Sequence, residues 1–386
     1  MTSPLHMGHS KMNLIQPILC RISPGITIGF LNCKPTHSRK SHSTKGNPMK
    51  LHLFAATLAL SLPFGMAFAA NNQPVQLVGS TPLPEIPGGD FDHFAVNLPG
   101  NRLYVVAEKY GSIEVFDLHS GAHLRSVRDV VKSPRKILYV PESNQIFVAD
   151  ADSSACLVLD ANTLNTVATV PLEAGPDAGV YDPQTRIFYV GNGGHAAHGD
   201  ISYVTAISVD QKKVLSRVEV PAATLKTLVL DKQARRLYAT MRDKNQVAVI
   251  DLKAMVLEKT FADPSLHHNS AMAADFEHHR LFIGNRKPGQ LLVLDSQTGK
   301  LVATLPIGET SDDMTYDASK RLLYISSDDG LDVVRELSPD RYETVQHVDT
   351  FGGKTSVYVA SLKRLFVAHT KGPHADVAGL QMFSVE

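Results

Sequence analysis

One strand-turn-strand phrase recurs along this chain at nearly constant spacing. "RLYVVAEKYGSIEVFD" runs from Arg102 to Asp117, and close variants begin at Gln145 ("QIFVADADSSACLVLD"), Arg236 ("RLYATMRDKNQVAVID") and Arg280 ("RLFIGNRKPGQLLVLD"). One anchor per copy falls at Leu103, Ile146, Phe188, Leu237, Leu281, Leu323 and Leu365, with spacings of 43, 42, 49, 44, 42 and 42 residues. β-Branched and aromatic residues come in short runs bounded by Asp, Asn, Gly and Pro, which is strand grammar rather than a 3.6-residue helical period. A unit of this kind buries its faces only by stacking on copies of itself.

A strand-only repeat of about 42 residues builds a β-propeller, with one four-stranded antiparallel blade per copy. Seven copies predict seven blades. In the first, His93–Asn97 is the innermost strand, followed by Leu103–Ala107, Ile113–Asp117 and the more polar His123–Asp129. The last copy ends at "LQMFSVE" and supplies only a third strand. Residues 72–87 have outermost-strand character, so the N-terminal strand is expected to pair with the C-terminal blade and close the ring, removing two exposed edges. The turns after the third strands open with Asp117, Asp160, Asp210, Asp251 and Asp295. Each carboxylate is expected to cap the amides of its own turn.

The N-terminus follows a different grammar. Residues 1–48 carry six bases and no acid, and read as an over-long extension without fixed structure. "MKLHLFAATLALSLPFGMAFAA", starting at Met49, has the charged start, short apolar core and Ala-Phe-Ala site of a secretory signal peptide, residues 49–69, with cleavage after Ala69. A transit peptide across the whole N-terminus is the alternative. Export predicts a periplasmic or secreted protein of residues 70–386, one propeller domain with no membrane span after cleavage. It would hold 31 bases against 38 acids, a net of −7, which disfavours nonspecific binding to nucleic-acid phosphates. Of three cysteines only Cys156 remains, so no disulfide or paired-Cys metal site is expected.

"YVGN" at Tyr189–Asn192, with "LYVV", "IFVAD" and "LFIGN" in register, resembles the YVTN-repeat propellers, and more narrowly the exported YncE-like proteins. The resemblance spans about residues 75–386. It implies a seven-bladed propeller outside the cytoplasm and, as one possibility, contact with single-stranded DNA. It does not imply one reaction.

The innermost strands line a central channel, so their starts gather at one mouth. Counting five residues back from each innermost strand's end selects Asp92, Arg135, Asp177, Lys226, Ser270, Asp312 and Lys354. Their charges run minus, plus, minus, plus, neutral, minus, plus, with Lys354 returning to Asp92 around the ring. Such a ring either locks blades in register through ion pairs or offers alternating charge to a small polar ligand or a peptide segment. His93, Asn269, Asp313 and Thr355 stand next door and join the candidate ligand-binding set. His93 is the candidate for proton transfer, since Asp92 or Asp313 would raise its pKa.

No resident cofactor is required by any motif, but the oxygen-rich subset Asp177, Asn269, Asp312 and Asp313 suits Ca²⁺. Such a set is similar to the metal centre of gluconolactonase-like propellers, although those have six blades and their ligands find no residue-by-residue match. His195, His198 and Asp200 in "HAAHGD" are a second metal candidate on a glycine-rich loop. His278 and His279 read as exposed hairpin residues. GxSxG, P-loop, HExxH and dinucleotide motifs are absent. The leading expectation is therefore a non-enzymatic binding scaffold at the charged mouth. The alternative is a metal-assisted, lactonase-like hydrolase or lyase.

Overall fold

The computed structural model describes residues 73–386. The extension and signal peptide expected over residues 1–69 lie outside the described residues.

Seven four-stranded sheets succeed one another along the chain. The first contains Phe91–Asn97, Arg102–Ala107, Ser112–Asp117 and His123–Arg128, each hydrogen-bonded to the next in order. The same order repeats from innermost strands at Pro134–Val140, Gly179–Asp182, Leu225–Asp231, Met272–Asp275, Asp313–Asp317 and Thr355–Val359. The protein is a seven-bladed β-propeller.

Closure occurs as the incomplete seventh copy requires. Val75–Leu83 runs antiparallel to Ala378–Val385, from Val75 opposite Val385 to Leu83 opposite Ala378. A clasp from the sixth blade reinforces it: the Gln346 side chain accepts from the Val75 N–H and donates to the Val75 carbonyl. Val75 and Leu83 are both buried, so the strand contributes apolar burial as well as edge pairing.

The core lies between blades. Directly after each anchor stands an aromatic residue, Tyr104, Phe147, Tyr189, Tyr238, Phe282, Tyr324 and Phe366, and all seven are fully buried. Blade sheets are covered on both faces, so these second strands read as continuous apolar runs instead of alternating ones. Two of the phenols reach across the interface, Tyr104 donating to the Ala161 carbonyl and Tyr238 to that of Ser296. Cys156 is fully buried, and burial pushes its thiol pKa well above the usual range.

Four of the five turn carboxylates act as caps. Asp117 accepts the N–H groups of His119 and Ser120, Asp160 those of Asn162 and Thr163, Asp251 those of Lys253 and Ala254, and Asp295 those of Gln297 and Thr298. Asp210 departs from the expectation and forms a bidentate pair with Arg186. The register explains the difference. In blade three Phe188 lies opposite Ile207, as Leu103 lies opposite Phe116, so Ser208 occupies the capping position and its hydroxyl accepts the Gln211 N–H.

Candidate functional site

The seven positions counted from the strand ends line one cavity of about 210 Å³ at the channel mouth. Each lies at the start of an innermost strand, or one to two residues before it, because all seven strands run in the same direction along the axis. Lys226 Nζ lies 2.5 Å from Asp177, and Arg135 is 3.9 Å from Asp92. Asp312 receives Arg286 and, at 3.8 Å, Lys354, while the Ser270 hydroxyl donates to it. Lys354 does not close the ring onto Asp92. It turns instead to Asp90 and Asp328, at 3.7 and 3.8 Å, because those loop carboxylates lie nearer its ammonium.

His93 stands between two carboxylates. Its Nδ1 is 3.2 Å from Asp313 Oδ1, and its Nε2 is 3.5 Å from Asp92 Oδ1. The backbone N–H of Ser356 holds the second oxygen of Asp313. Asp92 and His93 face the cavity, whereas Asp313 is outside its lining. Burial, with Asp177 adding like charge, pushes the Asp92 carboxyl up to about 7, against the pull of His93, Lys226 and Arg135. Burial and the Lys136 ammonium work to lower the pKa of His93, but Asp313 and Asp92 outweigh them and it rises. Burial would raise Asp313, yet His93 and Lys136 hold it below the carboxylate range. Lys136 itself is depressed by burial, against Asp313, Asp92 and Asp177.

The remaining neighbours hold the blades together. Asn269 is fully buried and donates to the Gln246 carbonyl. The buried Thr355 hydroxyl donates to Phe91 O, joining blade seven to blade one.

Glu108, Arg242 and Arg286 also line the cavity, and strand-end counting did not reach them. All three stand five residues beyond the anchors Leu103, Leu237 and Leu281, where the second strand ends at the same mouth. A second count on the anchors would have found them. Lys136 was also missed, although it stands to Arg135 as His93 stands to Asp92, one residue further along the innermost strand.

Beside this cavity lies a cleft of about 470 Å³, sharing Arg135, Asp177 and Arg242 with it. Its walls include Ala174, Gly175, Gly191, Gly193 and Ala223, and the short 3₁₀ turn Gly194–Ala197 borders it. The extra residues of blade three produce this turn. Gly194 has φ of 64°, and a Cβ there would meet Ala223 O and the Ser202 hydroxyl at 2.4 Å, so glycine is required for the close approach. His195 borders the cleft, and its N–H donates to Ala223 O. His195, His198 and Asp200 do not bring their ligand atoms together into a metal-competent group among the described residues.

Asp177, Asp312 and Asp313 each face a base or the His93 ring. The group able to hold a metal ion among the described residues lies elsewhere: ligand atoms of Asp275, His278 and Glu336 all fall within 4.8 Å of one another. Asp275 ends an innermost strand, and Glu336 comes from the third strand of the next blade. His278 is therefore more than an exposed hairpin residue. Its Nδ1 is 2.6 Å from Asp275 Oδ2, and this bond raises its pKa. The Tyr316 hydroxyl touches both carboxylates, and Arg321 pairs with Glu336 at 3.0 Å.

These features define a seven-bladed propeller with a charged hub. No family model matches the chain. Over 156 residues, 40% of this chain, it is 27% identical to the YncE proteins of Salmonella typhi and Salmonella typhimurium. That stretch covers 42% of those proteins, so the match spans less than half the length of these curated relatives. Among solved structures, hydrazine synthase of Kuenenia stuttgartiensis superposes with a TM-score of 0.62 at 14% identity, over 74% of this chain and 93% of that one. That likeness is one of fold. Among the described residues no helix is long and apolar enough to cross a membrane.

Proposed function

We propose that this chain is an exported, YncE-like propeller whose hub binds a small polar molecule and acts on it by proton transfer, as a hydrolase or lyase. The observation that carries this reading is His93 held between Asp313 and Asp92, with Asp92 pushed up to about 7. Asp313 orients the imidazole. Asp92, about half protonated near neutrality, accepts a proton from a bound water or hydroxyl, and His93 donates one to a departing oxygen. The five acids and five bases that line one cavity at the hub support a ligand site there.

The test is a turnover screen on lactones, esters and hydroxy acids, comparing the unaltered chain with His93→Gln and Asp92→Asn. Each change is expected to lower turnover about 100-fold or more; turnover indifferent to both would dispose of the proposal. The double change Asp312→Asn with Lys354→Met tests ligand binding separately. It should keep the fold and abolish ligand-induced thermal shifts.

A second, metal-assisted reading is favoured by Asp275, His278 and Glu336, three ligands of mixed oxygen and nitrogen type that suit Zn²⁺ or Mn²⁺. Elemental analysis before and after chelation, with His278→Ala alongside, tests it. Absence of bound metal together with no metal-dependent stabilisation would remove this reading.

A further inference from the structure

The hub's bases are unequally committed. Arg135 reaches Glu108 at 2.8 Å and Asp92 at 3.9 Å, yet its Nε is buried without a hydrogen-bond partner. Arg286 pairs with Asp312, and its Nε is likewise buried and unpartnered. Among the described residues the Arg242 guanidinium makes neither an ion pair nor a side-chain hydrogen bond. Burial and the nearby Arg286 charge depress Arg242 against the pull of Asp312, Asp177 and Asp243, so an anion bound directly to its guanidinium would relieve the part of that cost these carboxylates leave. Guanidinium forks suit a planar oxyanion.

Arg135 and Arg242 also belong to the cleft, so the two cavities meet at these side chains. Away from them seven glycines and alanines line the cleft with Leu225, interspersed with polar residues such as Asp152, Asn192 and His195, which leaves room for a narrow chain along the small side chains. The shape of the site narrows the occupant. A carboxylate presents two coplanar oxygens to one guanidinium fork, and an attached chain can extend from Arg242 and Arg135 into the adjoining cleft, which inorganic phosphate would leave unfilled.

Resting on the reading of the hub as a small-ligand site, we infer that the ligand is a monocarboxylic acid with a narrow aliphatic chain. Its carboxylate sits on Arg242 and Arg135, and its chain lies in the cleft beside the Gly194–Ala197 turn. The carboxylate end of the molecule then faces the hub that Asp92 and His93 line.

Calorimetric titration of the full chain with formate, acetate, butyrate and hexanoate tests this, with inorganic phosphate and butylamine as competitors. Affinity is expected to rise with chain length. Arg242→Met should weaken every carboxylate at least about tenfold, and Arg242→Lys, which keeps the charge but loses the fork, should fall between. Ala174→Leu should bring hexanoate down to the level of acetate and leave acetate unchanged. Equal affinity at every chain length, indifference to Arg242→Met in a folded variant, or stronger binding of phosphate or the amine overturns the inference. Carboxylates that respond to the Asp312 and Lys354 double change but not to Arg242→Met or Ala174→Leu would overturn it while sparing the hub. Binding governed by Arg242 and Ala174, with turnover unaffected by His93→Gln, would instead reject the proton-transfer reading alone.

Discussion

Asp313 Oδ1 and His93 Nδ1 lie 3.2 Å apart at the hub, joining the innermost strands of blades six and one, the two blades that flank blade seven. The two residues are 220 positions apart in the chain, and ring closure is what brings them together. On its other edge the imidazole meets Asp92, so one ring couples two carboxylates of opposite tendency.

The raised Asp92 pKa has a definite consequence for stability. A carboxyl whose folded pKa lies above its unfolded value makes the folded state bind the extra proton, so stability falls as pH rises from about 4 to about 7 and then levels. Asp92→Asn is expected to flatten this decline, leaving the variant more stable than the unaltered chain at pH 8, by on the order of 2 kcal/mol. Urea unfolding at pH 4, 6 and 8 checks it. His93 contributes in the same direction, because its raised pKa adds stability at low pH that is lost as pH climbs through the folded value.

Ring closure predicts a large effect from a small truncation. Removing the chain through Leu83 would strip the Ala378–Val385 strand of its partner and expose Val75's and Leu83's packing sites. The expected outcome is a loss of several kcal/mol in stability, with concentration-dependent association through the bared edge. Calorimetry and sedimentation measure both; an unchanged melting temperature would contradict the closure argument.

Asp117 and Asp210 should respond differently to the same substitution. Asp117→Ala removes an acceptor for two turn amides and should cost about 1 kcal/mol. Asp210→Ala breaks an exposed ion pair with Arg186 and should cost clearly less, since solvent screens such pairs. Matched denaturant curves for the two variants decide the ranking.

Single-stranded DNA binding, implied by the resemblance, is testable through salt. With −7 overall from residue 70 onward, and four of the hub's five bases already paired with acids, few cations are free to release counterions. Affinity for a DNA oligonucleotide is expected to be weak, with a shallow dependence on salt. A steep slope across 50–200 mM salt would restore the nucleic-acid reading.

How far the sequence could be read differs from residue to residue. Anchors such as Leu103 and Leu237, each followed by a buried aromatic, announce the blade because their pattern is local and repeated. The hub ring was also within reach, since a fixed offset in every blade maps to one height on the axis. Asp210 was misjudged because blade three pairs its strands two residues earlier, and register is a relation between strands. Asp275, His278 and Glu336 escaped because their meeting needs a hairpin of one blade to touch a strand of the next.

The amino-acid order by itself determined the number of blades, the strand that closes the ring and the height at which the seven hub residues stand, because these follow from periodicity and chain ends. Only the tertiary structure decided which base answers which acid, leaving Arg242 uncommitted and His93 caught between two carboxylates. Side-chain partners within a few ångströms depend on blade tilt and loop path, and no spacing along the chain encodes those.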